Sequence, residues 1–175
     1  LSDLRDRIGL VPQKGVLFSG TIETNIAYAG NVPDSETVRW AAKIAQADGF
    51  INEKPDGYDS EIAQGGTNVS GGQRQRLAIA RAVAKRPEIY IFDDSFSALD
   101  YATDRALREA LQEVAAESTV LIVAQRISTV LNADRIIVLD GGRVAGMGTH
   151  KELMENCEEY RQIALSQLSA EEAGR

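Results

Sequence analysis

Eight consecutive residues, Val69-Ser70-Gly71-Gly72-Gln73-Arg74-Gln75-Arg76, carry the strongest chemical signal in the chain. Two glycines ahead of a helix leave backbone N–H groups at its positive end, and the Ser70 hydroxyl adds a donor. That combination suits an anion such as a phosphate. It also suits a glycine-rich loop that only caps a helix. A second signal is Ile89-Tyr90-Ile91-Phe92-Asp93-Asp94. An apolar strand closed by two acids puts carboxylates at the carboxyl edge of a parallel sheet, where ligands of α/β folds bind. Asp93 suits Mg²⁺, which takes oxygen ligands and keeps much of its water. Asp94 suits orienting or deprotonating a water. Alone, the pair also reads as two strand-end acids in solvent. One helix plus one strand separates the two signals, which places both in one structural unit.

The surrounding pattern supplies that unit. Arg7 to Pro12 predicts a short strand stopped by Pro12. Gln13 to Gly30 is a glycine-punctuated loop leading into a short helix, and Ser35 is expected to cap a helix running to about Ala47. Pro55-Asp56-Gly57 signals a turn, and Gln64 to Gly72 a loop. A helix is expected from near Ser70 to Arg86, ended by Pro87, with Leu77, Ala80, Val83 and Ala84 on its apolar face. Glu88 to Phe92 reads as a buried strand, and about Ala102 to Ala116 as a helix with Leu107, Ala110, Leu111 and Val114 inward. Thr119 to Ala124 reads as a second buried strand and Arg135 to Leu139 as a third, a crossover pattern with a parallel sheet. Arg143 to Gly146 predicts a small antiparallel addition. The tail, His150 to about Leu168, is expected to be helical, with frayed last residues. No repeat or linker divides the chain, so one α/β domain is expected.

Composition narrows the function. The 175 residues hold 19 basic and 26 acidic side chains, a formal net charge of −7. With 43 % hydrophobic and 26 % charged residues the chain is globular, not disordered. The acidic balance argues against a general nucleic-acid or anionic-membrane binder. A single cysteine, Cys157, excludes an intrachain disulfide framework and fits a reducing compartment. With His150 the sole histidine, a thiol zinc cluster is excluded as well. No apolar run reaches the length of a membrane span, and the first residues do not read as a signal peptide. The start at Leu1, without an initiator Met, leads us to expect a piece of a longer chain.

Five motifs in register carry a family resemblance. Val69-Ser70-Gly71-Gly72-Gln73 resembles the signature sequence of ATP-binding cassette proteins, and Phe92-Asp93-Asp94 resembles their second nucleotide motif (Walker B). Ser97-Ala98-Leu99-Asp100 is similar to their D-loop and Val11-Pro12-Gln13 to their Q-loop, while Ala124-Gln125-Arg126 takes the place of their switch histidine. The resemblance implies an α/β, parallel-sheet ABC ATPase core with a helical signature subdomain at about residues 30–85, its N-terminal part missing. The remainder would be core sheet and C-terminal helices. The family's phosphate loop, Gly-x-x-x-x-Gly-Lys-Ser/Thr, does not occur in this sequence. It is therefore expected upstream, and this chain alone is expected to bind ATP poorly.

The resemblance also implies roles. Ser70, Gly71, Gly72, Gln73 and Asp100 would contact nucleotide. Asp93 would hold Mg²⁺, Asp94 would be the general base, and Gln13 would reach Mg²⁺ or the attacking water as a sensor. Gly20-Thr21-Ile22-Glu23-Thr24-Asn25-Ile26, Ile127 to Asp134 and Gly148 to Leu153 resemble the exporter branch, in which the cassette is fused to membrane helices. That branch implies ATP-driven transport by a protein at the cytoplasmic face of a membrane, with a second cassette facing this one head to tail. A soluble ABC ATPase of DNA repair or translation is the alternative.

Two departures from the family fall on hydrolysis. Asp94 stands where Glu is usual, one methylene short, and a misplacement of about 1 Å can cost roughly 10²-fold. Gln125 replaces the histidine; an amide can hydrogen-bond a γ-phosphate but carries no proton or positive charge. The signature is kept but for Val69 in place of Leu. The expectation is a degenerate own site, with the signature completing a partner's site in a heterodimer. Gln64 stands where an acid is common in the exporter's cross-talk loop. The sequon Asn68-Val69-Ser70 overlaps the signature, Gly141 to Gly146 lacks the Lys-Ser/Thr of a phosphate loop, and His150 reads as a helix-entry residue.

Overall fold

The computed structural model describes residues 2–28 and 33–167. The chain divides into two compact units, Leu1–Val123 and Ala124–Arg175. In order, the first contains α1 (Ser2–Asp6), β1 (Ile8–Val11), β2 (Gly20–Thr21), α2 (Ile22–Ala27), α3 (Ser35–Ile44), α4 (Asp48–Asn52), β3 (Glu61–Ile62), α5 (Gly71–Ala84), β4 (Ile89–Asp93), α6 (Tyr101–Val114) and β5 (Thr119–Val123). The second contains α7 (Ile127–Val130), β6 (Ile136–Asp140), β7 (Arg143–Gly148), α8 (His150–Asn156) and α9 (Glu158–Gln167).

The expected parallel sheet forms from β1, β4 and β5, with β4 central. Its register sets Val11 against Phe92 and Asp93 against Val123, so the strand ends at Val11, Asp93 and Val123 lie along one edge. The strand β4, the helix α6 and the strand β5 make the crossover that parallel pairing requires. The alternation along β4 buries Tyr90 and Phe92, whose rings stack 5.9 Å apart; Phe96 packs on Phe92 at 5.2 Å. Against this layer lies α5, which buries Leu77, Ile79, Ala80 and Val83 in one core with Ile22, Ile26, Val38 and Ala41. The run of alanines on α5 (78, 80, 82 and 84) keeps its surface low, so helices and loops approach it closely.

Several expectations shift. Among the described residues the expected second buried strand, β5, is bonded on one side only, and its Val120, Leu121 and Val123 are exposed. A continuous apolar run reads as a strand covered on both faces; even β4, bonded at both edges, fully buries only Tyr90 and Phe92 and leaves Ile89 and Ile91 half-buried. The expected third strand, β6, does not extend the parallel sheet. It pairs antiparallel with β7 in the second unit, which fits the expected antiparallel addition. The cap of α3 is Asp34, whose carboxylate accepts the Thr37 N–H at 2.7 Å; Ser35 is already the first helical residue. The helix α5 stops at Ala84, because Arg86 turns to φ +49° before Pro87. The C-terminal helix is two helices, broken at the extended Cys157. The expected fraying of the last residues, 168–175, and part of the loop before α3, 29–32, fall outside the described residues. Unit two has its own core of Ile136, Val138, Leu153, Cys157, Tyr160 and Ala164.

Candidate functional site

The carboxyl edge of the sheet is built first. Asp93 ends β4 with its side chain exposed. Asp94 leaves the strand at φ +45°, a left-handed conformation that Asp tolerates better than most residues because its short polar group hydrogen-bonds locally. Its N–H still donates to the Val123 carbonyl at 2.8 Å, so the turn begins within the ladder. Ser95, fully buried, donates its hydroxyl to the Val11 carbonyl at 2.8 Å. That bond ties the turn after β4 to the end of β1. Pro12 stops β1, and the next residue, Gln13, donates from Nε2 to Asp94 Oδ2 at 3.2 Å. The two residues expected to act on a water, Gln13 and Asp94, therefore touch.

The amino end of α5 is the second part. Ser70 and Gln73 form a capping box: Ser70 Oγ accepts the Gln73 N–H at 3.2 Å, and Gln73 Oε1 accepts the Ser70 N–H at 3.0 Å. A side chain added at Gly71 would meet nothing within 4 Å, and the residue is helical. Neither local packing nor backbone geometry needs glycine there, and Ala is the better helix former. A Cβ at Gly72 would sit 3.4 Å from the Ala98 carbonyl, so this turn packs on the segment leading to Asp100. Asp100 caps α6, accepting the Thr103 N–H at 3.0 Å and its hydroxyl at 2.7 Å. Those donors hold its carboxyl below the ordinary value of 3.8. The Arg76 guanidinium lies over the Phe50 ring and donates to the Gln46 carbonyl at 2.8 Å. Its burial lowers its pKa, and the Asp100 charge opposes that.

Two residues escape sequence reasoning. Gln75, only 2 % exposed, accepts the Gly15 N–H on Oε1 at 2.9 Å and donates from Nε2 to the Pro12 carbonyl at 3.1 Å. Arg81 donates to the Asn25 carbonyl at 2.7 Å, the Val16 carbonyl at 2.9 Å and Asn25 Oδ1 at 3.0 Å. Asn25 in turn clasps both polar groups of the Phe18 backbone. The only hint in the sequence is that Gln75 shares a helical stripe with the buried Ala78 and Ala82. Gln125 lies in the second unit, where its carbonyl accepts from Gln167 Nε2 at 2.9 Å and Gln167 Oε1 accepts the Ile127 N–H at 2.9 Å. That strap fixes the start of the unit to α9.

Among the described residues no group of three or more His, Cys, Asp or Glu gathers as a metal cluster. The Asp93 carboxylate nevertheless fits Mg²⁺, which is held by one or two carboxylates and completes its shell with water and phosphate oxygens. The Gln13 amide oxygen, at the same strand edge, is of the same hard-donor kind.

Comparison with known proteins shows the family and the fold. The family model described as "ABC transporter" matches residues 1–97. The chain is 51 % identical over 172 residues to an uncharacterized ABC transporter ATP-binding protein of Mycobacterium tuberculosis, covering 95 % of this chain and 29 % of that one. It is 44 % identical over 163 residues to a multidrug efflux ATP-binding/permease protein of the same species, covering 93 % of this chain and 14 % of that one. A solved bacterial Atm1-family ABC exporter with ATP bound superposes with a TM-score of 0.90 at 41 % identity, over 93 % of this chain and 29 % of that one. The chain thus spans under a third of each of these proteins.

Proposed function

Because the chain belongs to the ABC transporter family, with its α/β ATPase fold, we propose that it is the C-terminal portion of the nucleotide-binding domain of an exporter. In this reading the parent binds Mg-ATP and uses it to drive a substrate across a membrane, with the cassette on the cytoplasmic face. The membrane helices belong to other parts of the parent, since no helix among the described residues is long and apolar enough to span a bilayer. The multidrug and Atm1-family relatives support the exporter branch over a soluble ATPase.

The observation that carries the reading is Gly71. A glycine that the chain's own packing does not need, at the N–H-rich end of a fourteen-residue helix, suits close approach by a group from outside. That group is the nucleotide phosphate of a second cassette, facing this one head to tail. Ser70, Gly71, Gly72 and Gln73 orient it, and Asp100, at the head of the neighbouring helix, completes the same surface. Engagement requires the Ser70–Gln73 box to exchange some of its internal bonds for bonds to phosphate.

On this chain's own side Asp93 would hold Mg²⁺, which when bound neutralises phosphate charge. Gln13 orients the water toward Asp94, already 3.2 Å away, and Asp94 accepts its proton. The short Asp94 carboxylate and the neutral Gln125 amide make this side slow, which favours a heterodimer in which the partner's pocket does most of the hydrolysis. The test is Gly71→Asp in the full-length transporter. It places a carboxylate against phosphate at a position that is open in this fold. We expect loss of partner-site hydrolysis of about 10²-fold or more, on the scale of losing a preorganised electrostatic contact, with the melting temperature retained. Unchanged hydrolysis would overturn the reading.

A further inference from the structure

The Gln75 amide does something that neither a capping role nor the signature turn explains. It is buried in the middle of unit one, and both of its polar ends are spent on backbone groups that bracket Gln13: the Pro12 carbonyl before it and the Gly15 N–H after it. The fit is close. A Cβ at Gly15 would stand 3.0 Å from the Arg74 carbonyl, 3.1 Å from Gln75 Oε1 and 3.2 Å from Ala78 Cβ. A side chain here would force the loop and α5 apart by a few tenths of an ångström. On its other side the same segment is held by Ser95 through Val11. Gln75 also sits five residues along the helix from Ser70, about 7.5 Å at 1.5 Å per residue. The segment carrying Gln13 and the turn carrying Ser70 are thus fixed to one short rod.

We propose that Gln75 is a positioning residue: it locks the Gln13 segment to the signature helix, so that a change at Gln13 in this chain's own pocket shifts Ser70–Gln73 in the partner's pocket. The inference rests on the head-to-tail reading above. It assigns Gln75 no contact with nucleotide. Its amide donates and accepts at once, as the two opposed backbone groups demand, and its length reaches both.

The test is a double-mutant cycle in the full-length, membrane-reconstituted transporter, with Gln13→Ala, Gln75→Met and the two combined, read as kcat and KM for ATP. Each single change is expected to lower kcat about tenfold, leaving KM unchanged, and the double is expected to lose no more than either alone. Gly15→Ala, which pushes the same contact apart from the loop side, carries the cycle in place of Gln75→Met if that variant fails to fold. Losses that multiply in the double, or a Gln75→Met loss that appears in KM, would overturn the inference. So would Gln75→Met lowering kcat while Gln13→Ala leaves it unchanged; the proposed function would then stand and the lock would not. A transporter with no ATP turnover before any substitution would instead remove the proposed function, and the lock with it.

Discussion

At the residue scale, the site depends on small groups that bridge segments far apart in sequence. Ser95 is the clearest of them. Its hydroxyl is buried and donates to Val11, 84 positions away. Ser95→Ala removes that donor and leaves a buried carbonyl short of a partner, so we expect a loss of about 1–3 kcal/mol in equilibrium unfolding. A loss near zero would mean that water reaches the Val11 carbonyl. Asp93, Asp94 and the Ser70–Gln73 turn are legible in the sequence because they are contiguous and end a recognisable strand or begin a recognisable helix. Gln75 and Arg81 are not. Each looks like one more polar residue of a helix, and its partners lie 60 and 56 positions away. Side-chain bonds to distant backbone leave no local pattern to read.

At the scale of elements, apolar runs and helix periods locate α3, α5, β4 and α6 to within a few residues. What they miss follows from pairing and caps. The hydrophobicity of β5 does not reveal that it lies at the edge of the sheet, nor that of β6 that its partner is β7. Side-chain oxygens of Thr21, Asp34, Ser70, Asp100 and Thr149 cap their helices. Asp100 offers a test of the sign of its electrostatics. Its carboxyl titrates below 3.8 because Thr103 donates to the charged form. The stability from this cap is therefore present above pH 3.8 and lost as pH falls through the lower folded value. Asn caps as well as Asp and does not titrate. D100N is expected to lose less helical signal than the unsubstituted protein between about pH 5 and pH 2, followed by circular dichroism. An identical acid transition in the two proteins would show that the Asp100 cap does not contribute.

At the scale of the whole molecule, the chain is two compact units with separate cores, and the residues expected to serve hydrolysis are divided between them: Gln13, Asp93 and Asp94 in the first, Gln125 in the second. The absence of disulfides and of a membrane-length apolar run, and the parallel α/β sheet, follow from composition and pattern. The division into units does not, because no linker composition marks residue 124. The parent's working state, in the proposed account, is a pair of cassettes in which this chain lends its signature turn outward and keeps a slow pocket for itself. The most direct measurement is ADP formation resolved by site in the full-length transporter, before and after Asp94→Glu and Gln125→His are introduced together. The account predicts that the unsubstituted protein turns over almost wholly in the partner's pocket, and that the paired substitution raises turnover in this chain's own pocket by at least about tenfold. Equal turnover in both pockets at the outset, or no gain from the substitution, would contradict it.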